Sequence, residues 1–191
     1  MFSDHGFTAV KKEVNINAWL HRKGKLFLER KSGFDYSGLS EDSKALSMVP
    51  GRVYLLTERR WRRGRISDQL YEKERKEILS CLLELQNIEG EKLFERVLMK
   101  EEVFKGPYSD MGPDLIIEPL NGYDLKAGYP PCELLVKGPI SGMHTKDDAL
   151  LCVNNLKISQ AKPVIYDVMP TILEVMGIEP PGDIDGKSLI P

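Results

Sequence analysis

An Asp-His pair near the start of the chain has the residue types and the spacing to bind a metal ion. Asp4 and His5 are adjacent in "SDHGF", and Gly6 follows them. A carboxylate and an imidazole are both ligands for zinc, and neighbouring side chains can reach one cation where a strand passes into a loop. Gly6 relieves crowding in such a turn. The alternative interpretation is a solvated, frayed N-terminus.

A second histidine lies in sequence that is typical of a functional loop. His144 in "SGMHTKDDALLCV" follows a flexible Ser-Gly and precedes a predicted buried strand, from which loop side chains can enter a site at a sheet edge. The alternative for His144 is a surface histidine. We interpret Asp147 and Asp148 as solvated loop acids. His21 in "WLHRKG" lies among cations that oppose metal binding, and we interpret it as a solvated residue.

The composition is that of an ordinary soluble globular protein. The 191 residues are 41% hydrophobic and 29% charged, and the formal net charge of −2 gives no overall attraction to nucleic acid or to anionic membranes. No apolar run approaches the length of a membrane span, and no signal peptide precedes Asp4. Cys81, Cys132 and Cys152 are odd in number and lack CxxC spacing, which favours buried thiols in a reducing compartment. We therefore predict a cytoplasmic protein.

A short basic segment, "ERRWRRGR", places five arginines around Trp61 between Arg59 and Arg65. Cations that bind phosphates and an indole that stacks on bases would suit nucleic-acid binding. Because one short loop carries all of these residues, we interpret it as a surface turn that attracts a polyanionic substrate or an acidic partner surface. Nucleic-acid binding is the weaker alternative.

The elements that must position these residues alternate between strands and helices. Apolar runs predict strands at residues 52–56, 114–117 and 149–153, with shorter strands near 26–28, 97–98 and 134–136. Helices are predicted at residues 67–86, after an N-cap at Ser67, and at residues 170–176. The alternation predicts an α/β fold with a mixed or mostly parallel sheet flanked by helices, and no internal domain boundary is evident.

Several segments of the chain, taken in order, resemble those of one enzyme family. They are "SDHGF", "INAWL", "GRVYLL", "GPYSDMGPDLII", "SGMHTKDD" and "YDVMPTILEVMGIEPPGDIDGKSL". Together they resemble the C-terminal part of the type I phosphodiesterase/nucleotide pyrophosphatase group of the alkaline phosphatase superfamily. The resemblance covers nearly the whole chain. It implies an alkaline-phosphatase-like sheet flanked by helices, of which residues 1–191 form a single partial domain, the C-terminal portion only.

The resemblance implies metal-dependent hydrolysis of phosphodiester or pyrophosphate bonds in a small-molecule or nucleotide substrate. In that family two zinc or manganese ions clamp a phosphoryl group that a Thr or Ser nucleophile attacks. Asp4 and His5 match the ligands of one metal, and His144 matches a late ligand of the other. Because the family's nucleophile lies well before SDHG, the resemblance implies that this chain lacks it. The missing residues would belong to a preceding segment or to a separate N-terminal half.

Departures from the family pattern keep a second function open. A glycine commonly follows the late histidine, and a Gly-Pro-Gly turn often closes the next strand. This chain has Asp147, Asp148 and Ala149 at the first place and Asn154 and Asn155 at the second. Asn tolerates left-handed backbone, so the turn can survive, but the same losses fit an inactive copy. The alternative function is a pseudoenzyme or interaction module that retains the fold.

Overall fold

The structure is a computed structural model of the chain, and it describes residues 1–28, 38–128, 133–155, 157–158 and 162–190. Its internal contacts fall into two compact units. One unit comprises Met1–Phe7 and His144–Pro191, and the other is Thr8–Met143. The interpretation of the chain as a single partial domain stays a prediction.

The described elements follow one another in a fixed order along the chain. They are β1 (Gly6–Ala9), β2 (Lys12–Asn15), α1 (Ile16–Arg22), β3 (Ala45–Val49), β4 (Arg52–Leu55), α2 (Asp68–Leu83), β5 (Phe94–Met99), α3 (Lys100–Val103), β6 (Leu115–Pro119), β7 (Tyr123–Lys126), β8 (Leu135–Val136), β9 (Gly142–Thr145) and α4 (Val168–Val175). Strands β1 and β9 contain the points where the chain passes between the two units, and they pair in a two-stranded sheet.

The larger sheet of the Thr8–Met143 unit is antiparallel throughout. Its strand order is β3-β4-β6-β5. A tight turn joins β3 to β4, and Gly51 in that turn has a φ of +70°, a conformation that glycine adopts without steric cost. Strand β6 is central, so Leu115, Ile116 and Ile117 are all buried in succession. Strands β4, β5, β6 and β8 confirm four predicted strands, whereas the prediction at 26–28 reduces to a single bridge between Leu28 and Leu39.

Helix α2 packs against β5 and contributes Ile78 and Leu82 to the core. The predicted helix and its N-cap at Ser67 are confirmed, although the helix ends at Leu83 instead of 86. Beyond the helix the chain reverses direction, and Asn87 N–H bonds to the Glu91 carbonyl (2.9 Å).

The smaller sheet of this unit is mixed, with the order β7-β2-β8. Strand β2 runs parallel to β7 and antiparallel to β8. Asn15 then caps α1 by accepting a hydrogen bond from Ala18 N–H (3.2 Å). The buried Asn17 side chain bonds to both the N–H and the carbonyl of Ser47, each at 2.8 Å, which ties α1 to β3. The prediction of a mostly parallel sheet is therefore wrong for the described strands. The three-stranded sheet is mixed, as the other alternative predicted, and the four-stranded sheet is antiparallel.

The unit formed by Met1–Phe7 and His144–Pro191 contains α4, which confirms the predicted helix near residues 170–176. The predicted strand at residues 149–153 is wrong, because only one antiparallel bridge, from Leu151 to Phe2, is present there. Asp148 (φ +65°) and Asn155 (φ +63°) put left-handed backbone at both ends of this apolar run, which shortens its extended part. Asn155 thus has the left-handed backbone that the sequence leaves open as a possibility after the run.

The cysteines are not all buried. Cys81 is partly buried against the core of the Thr8–Met143 unit, whereas Cys152 is exposed, so the prediction of a buried thiol is wrong for Cys152. Phe2, which bridges to the adjacent Leu151, is exposed as well. Cys132 lies outside the described residues.

The closing run of the chain is fixed by two buried polar side chains. Asp167 accepts hydrogen bonds from the N–H groups of Val164 and Lys187, each at 3.0 Å. The Thr171 hydroxyl donates to the Asp167 carbonyl (2.6 Å) and accepts from Leu189 N–H (2.9 Å). These polar residues of "YDVMPTILEV" therefore clamp the last segment onto α4.

These elements give the protein a mixed α/β fold with several sheets and flanking helices, which confirms the predicted α/β class and is consistent with an alkaline-phosphatase-like architecture. None of the helices in the described residues is both long enough and apolar enough to cross a bilayer.

Candidate functional site

The imidazole rings of His5 and His144 lie face to face. Their centroids are 3.7 Å apart and their planes differ by 16°. The Asp4 carboxylate lies beside them, with its Oδ1 3.4 Å from Nε2 of His5. The structure thus brings together all three residues that the sequence predicts for the site, within the unit formed by Met1–Phe7 and His144–Pro191.

Gly6 allows this approach. A side-chain carbon at Gly6 would overlap the Asp147 carbonyl and the Thr145 hydroxyl. That hydroxyl donates to the same Asp147 carbonyl (2.7 Å) and so closes the turn that follows His144. The segment carrying Asp4 and His5 can therefore contact the His144 turn only because residue 6 has no Cβ.

The hydrogen bonding of His5 determines which of its nitrogens is available. Nδ1 lies 2.8 Å from the Gly6 carbonyl, and because a carbonyl only accepts, Nδ1 is the donor. A neutral ring then keeps its lone pair on Nε2, the nitrogen that faces Asp4. A backbone carbonyl that fixes the tautomer in this way is the usual second partner of a metal-binding histidine.

The donor set fits a divalent cation in type but not in number. One carboxylate oxygen and imidazole nitrogens suit zinc or manganese, and Asp4 is 76% exposed and so open to a cation. A catalytic zinc normally has three protein ligands. Within the described ranges, no three His, Cys, Asp or Glu side chains converge closely enough to hold a metal ion. Asp147 and Asp148 are exposed loop acids, as predicted.

A family model described as type I phosphodiesterase / nucleotide pyrophosphatase matches residues 1–146. The chain belongs to this family. The match spans Asp4, His5 and His144, and the family indicates hydrolysis of phosphodiester or pyrophosphate bonds. Neither the curated proteins nor the solved structures include a significant match to the chain. The closing run after residue 146 lies beyond the matched region.

Phe7 is a site neighbour that sequence reasoning missed in this phosphodiesterase-family chain. Its ring lies 5.9 Å from the His144 ring at an angle of 50°, and its side chain is largely exposed. The sequence spacing could have identified Phe7. Alternate residues of an extended segment lie on the same face, and Phe7 follows His5 by two positions. Phe7 gives the exposed histidine an apolar neighbour.

His21 takes no part in this cluster. It is an exposed residue of α1 in the Thr8–Met143 unit, and its Nδ1 bonds to the Leu26 carbonyl at 2.9 Å. That bond closes the turn that follows α1.

The basic segment of the family member folds into a compact loop. Thr57 pairs with Ile66, and Gly64 fits against the Thr57 carbonyl, where any side-chain carbon would overlap it. Trp61 Nε1 donates to the Leu55 carbonyl (3.0 Å), so the indole is anchored to β4. Gly64 therefore has a packing role in shaping this loop.

Proposed function

We propose that the chain forms part of a metal-dependent phosphodiesterase or nucleotide pyrophosphatase that acts on a small-molecule phosphodiester or nucleotide. The convergence of Asp4, His5 and His144 is the observation that carries this proposal, since they come from opposite ends of the family match. The three residues have the donor types that the chemistry needs.

Each of the three residues has a proposed role. Asp4 and His5 bind one divalent cation, zinc or manganese, and His144 binds a second. When bound, two such cations stabilise charge on the attacking and leaving oxygens of a phosphoryl group. The Gly6 carbonyl holds His5 in the tautomer that leaves Nε2 free to act as a ligand.

Three donors cannot complete two metal sites, so the remaining ligands must come from elsewhere. We propose that these ligands and the Thr or Ser nucleophile lie outside Met1–Pro191, in a preceding part of the polypeptide or in a separate N-terminal half. Both units then belong to one partial catalytic domain, the C-terminal part of an alkaline-phosphatase-like domain. The three cysteines are odd in number and far apart in the sequence, which supports a cytoplasmic location for the complete enzyme.

Metal binding by the isolated chain tests the ligand assignment. Titration with Co²⁺, a spectroscopic substitute for zinc, is expected to give weak binding that His5→Ala removes. His21→Ala is the matched control, because His21 is an exposed histidine outside the cluster, and it is expected to leave binding unchanged. Equal loss in both variants, or no loss in His5→Ala, would contradict the assignment.

Activity assays test the division of the site between two segments. The isolated chain is expected to hydrolyse bis-p-nitrophenyl phosphate no faster than its His144→Ala variant. Addition of an N-terminal half that carries the nucleophile is expected to restore metal-dependent turnover. Continued inactivity in that mixture would favour the pseudoenzyme. Rapid hydrolysis by the chain alone, abolished by chelator and by Asp4→Ala, would show that the nucleophile is within these residues.

A further inference from the structure

The Thr8–Met143 unit contains an open cavity of about 380 Å³ between the basic loop, the start of α2 and the segment after β5. Three cationic and three anionic side chains line it: Arg59, Arg60, Lys100, Asp68, Asp110 and Asp114. Cavities of a few hundred Å³ that combine such groups are typical of small-molecule sites.

The Asp114 carboxylate is buried and its hydrogen bonds are made within the protein. Its side chain is 4% exposed, and it accepts hydrogen bonds from Leu55 N–H and from the Tyr71 hydroxyl, each at 2.7 Å. Arg60 lies 3.6 Å away from the carboxylate. Burial, followed by the hydrogen bond to Asp114, raises the pKa of Tyr71, so the phenol remains a donor. Asp114 is therefore a fixed part of the cavity wall.

Asp110 is held differently. It lies on an exposed 3-10 turn, Ser109–Met111, and its side chain is 67% exposed. Lys100 and Arg59 approach it at 3.3 and 3.5 Å, which is longer than the 2.7–2.9 Å of strong charge-assisted hydrogen bonds. Lys100, followed by Arg59, holds the pKa of this carboxyl below its usual range. An anion therefore rests in the cationic part of the cavity, but only loosely.

Two of the three cations, Arg60 and Lys100, are held in place before any ligand arrives, whereas the Arg59 side chain is 73% exposed. The Arg60 guanidinium lies 5.2 Å from the Tyr54 ring centroid and 5.5 Å from that of Trp61, and it also donates to the Met111 carbonyl. Lys100 is mostly buried, and its Nζ lies 5.7 Å from the Tyr71 ring. Cations that are ordered in advance lose little entropy when they bind an anion.

We propose that this cavity binds a phosphate group and that the Asp110 carboxylate occupies the position of the phosphate when no ligand is bound. A phosphate presents more acceptor oxygens and more charge than a carboxylate, so it can engage Arg59, Arg60 and Lys100 together. The exposed turn that carries Asp110 can then release its side chain to solvent. The cavity is also larger than a phosphate ion, so a phosphorylated small molecule fits it.

An NMR titration of the isotope-labelled chain with inorganic phosphate, in the presence of a chelator, tests this proposal without any metal. Backbone amide shifts are expected near Arg59, Asp68 and Asp110. Arg59→Gln is expected to weaken binding about tenfold, the usual effect of losing one charged hydrogen bond. Arg62→Gln is the matched control, because Arg62 is an exposed arginine of the same loop that does not line the cavity. It is expected to change the affinity little.

The most discriminating variant is Asp110→Asn. It removes the competing carboxylate from an exposed position without disturbing the core, and it is expected to tighten phosphate binding several-fold. The proposal is overturned if Asp110→Asn leaves binding unchanged or weaker, if Arg62→Gln matches Arg59→Gln, or if phosphate causes no local shifts. A parallel titration with AMP distinguishes the source of the group: tighter binding of AMP indicates a phosphorylated small molecule, and equal binding indicates free phosphate.

Discussion

The imidazole of His144 stacks on that of His5 at a centroid distance of 3.7 Å, although the whole Thr8–Met143 unit lies between them in the sequence. The contact depends on the close approach of Gly6 to the turn that follows His144. A backbone feature and not a side-chain bond therefore brings the two rings together.

Replacement of Gly6 by Ala should separate the two histidines. The added methyl group overlaps the Asp147 carbonyl and the Thr145 hydroxyl, so the turn must move. We expect the free energy of unfolding to fall by about 1–3 kcal/mol, as for other overpacked sites, and the ring-current shifts of both imidazoles to disappear from NMR spectra. Gly182→Ala is the control, because nothing lies within 4 Å of a Cβ at that position. Retention of the ring-current shifts in Gly6→Ala would contradict the prediction.

Asp148 should tolerate glycine better than its neighbour does. Asp148 has a φ of +65°, which glycine adopts without strain, whereas Asp147 is not among the residues with positive φ. Both changes increase the entropy of the unfolded chain, but only Asp148→Gly relieves the native backbone. We expect Asp148→Gly to be more stable than Asp147→Gly by about 1 kcal/mol in urea unfolding. The reverse order would show that the left-handed conformation costs nothing here.

Thr171→Val should loosen the closing run. Valine has the same shape as threonine but cannot donate to the Asp167 carbonyl or accept from Leu189 N–H. Because valine leaves these buried polar groups unpaired, we expect the free energy of unfolding to fall by about 1–3 kcal/mol. Amide hydrogen exchange at Leu189 should also become faster. Glu174→Gln on the exposed side of α4 serves as the control. If the amide exchange rate at Leu189 is unchanged in Thr171→Val, Thr171 does not hold the closing run on α4.

Glu74 should make stability depend on pH in the acid range. This buried residue of α2 binds Lys25 (2.9 Å) and Lys44. Burial alone would raise the pKa of Glu74, but hydrogen bonds from Lys44 and Lys25 outweigh burial and lower the pKa below 4.5. The carboxylate therefore stabilises the fold above that pH, and the contribution is lost as the pH falls through the lowered pKa.

We accordingly expect the free energy of unfolding of the Glu74→Gln variant to be about 3 kcal/mol lower at pH 7 than that of the unmodified protein, as when a buried ion pair is broken. The difference from the unmodified protein should shrink as the pH falls below the ordinary carboxyl pKa of the unfolded chain and through the lowered pKa of Glu74 in the fold, where the carboxylate becomes protonated. Urea unfolding between pH 3 and 7 measures this, with the exposed Glu84→Gln as the control. A difference that is constant across the range would rule out the linkage.

Local pattern was sufficient to predict the elements whose stability is mostly local. Helix α2 has a capping position at Ser67 and an apolar stripe through Ile78 and Leu82, and it was predicted with the correct start. Strand β6 was predicted from its continuous apolar run. Strands β2 and β7 were missed because each has four residues and its partner is distant in the sequence. Non-local pairing of this kind leaves little trace in local periodicity.

The sequence singled out the three residues of the candidate site but not their arrangement, and their roles as metal ligands stay a prediction. Asp4, His5 and His144 stood out because few residues combine metal-binding chemistry with loop sequence, and the family resemblance joined them. The stacking of the rings depends on Gly6, whose close contact with residue 147 no pattern reveals. Asp114 was interpreted only as the start of a strand, because its partners Tyr71 and Arg60 come from other elements.

Because β1 pairs with β9, the residues between these two strands form one long segment whose two ends are joined by the strand pair. We call this segment the excursion. The entropy of closing such a loop changes slowly with length, by about 0.6 kcal/mol for each doubling. Insertions or deletions inside the excursion therefore have little effect on the meeting of His5 and His144. Changes of length accumulated in this part of the chain during evolution are therefore compatible with a constant histidine pair.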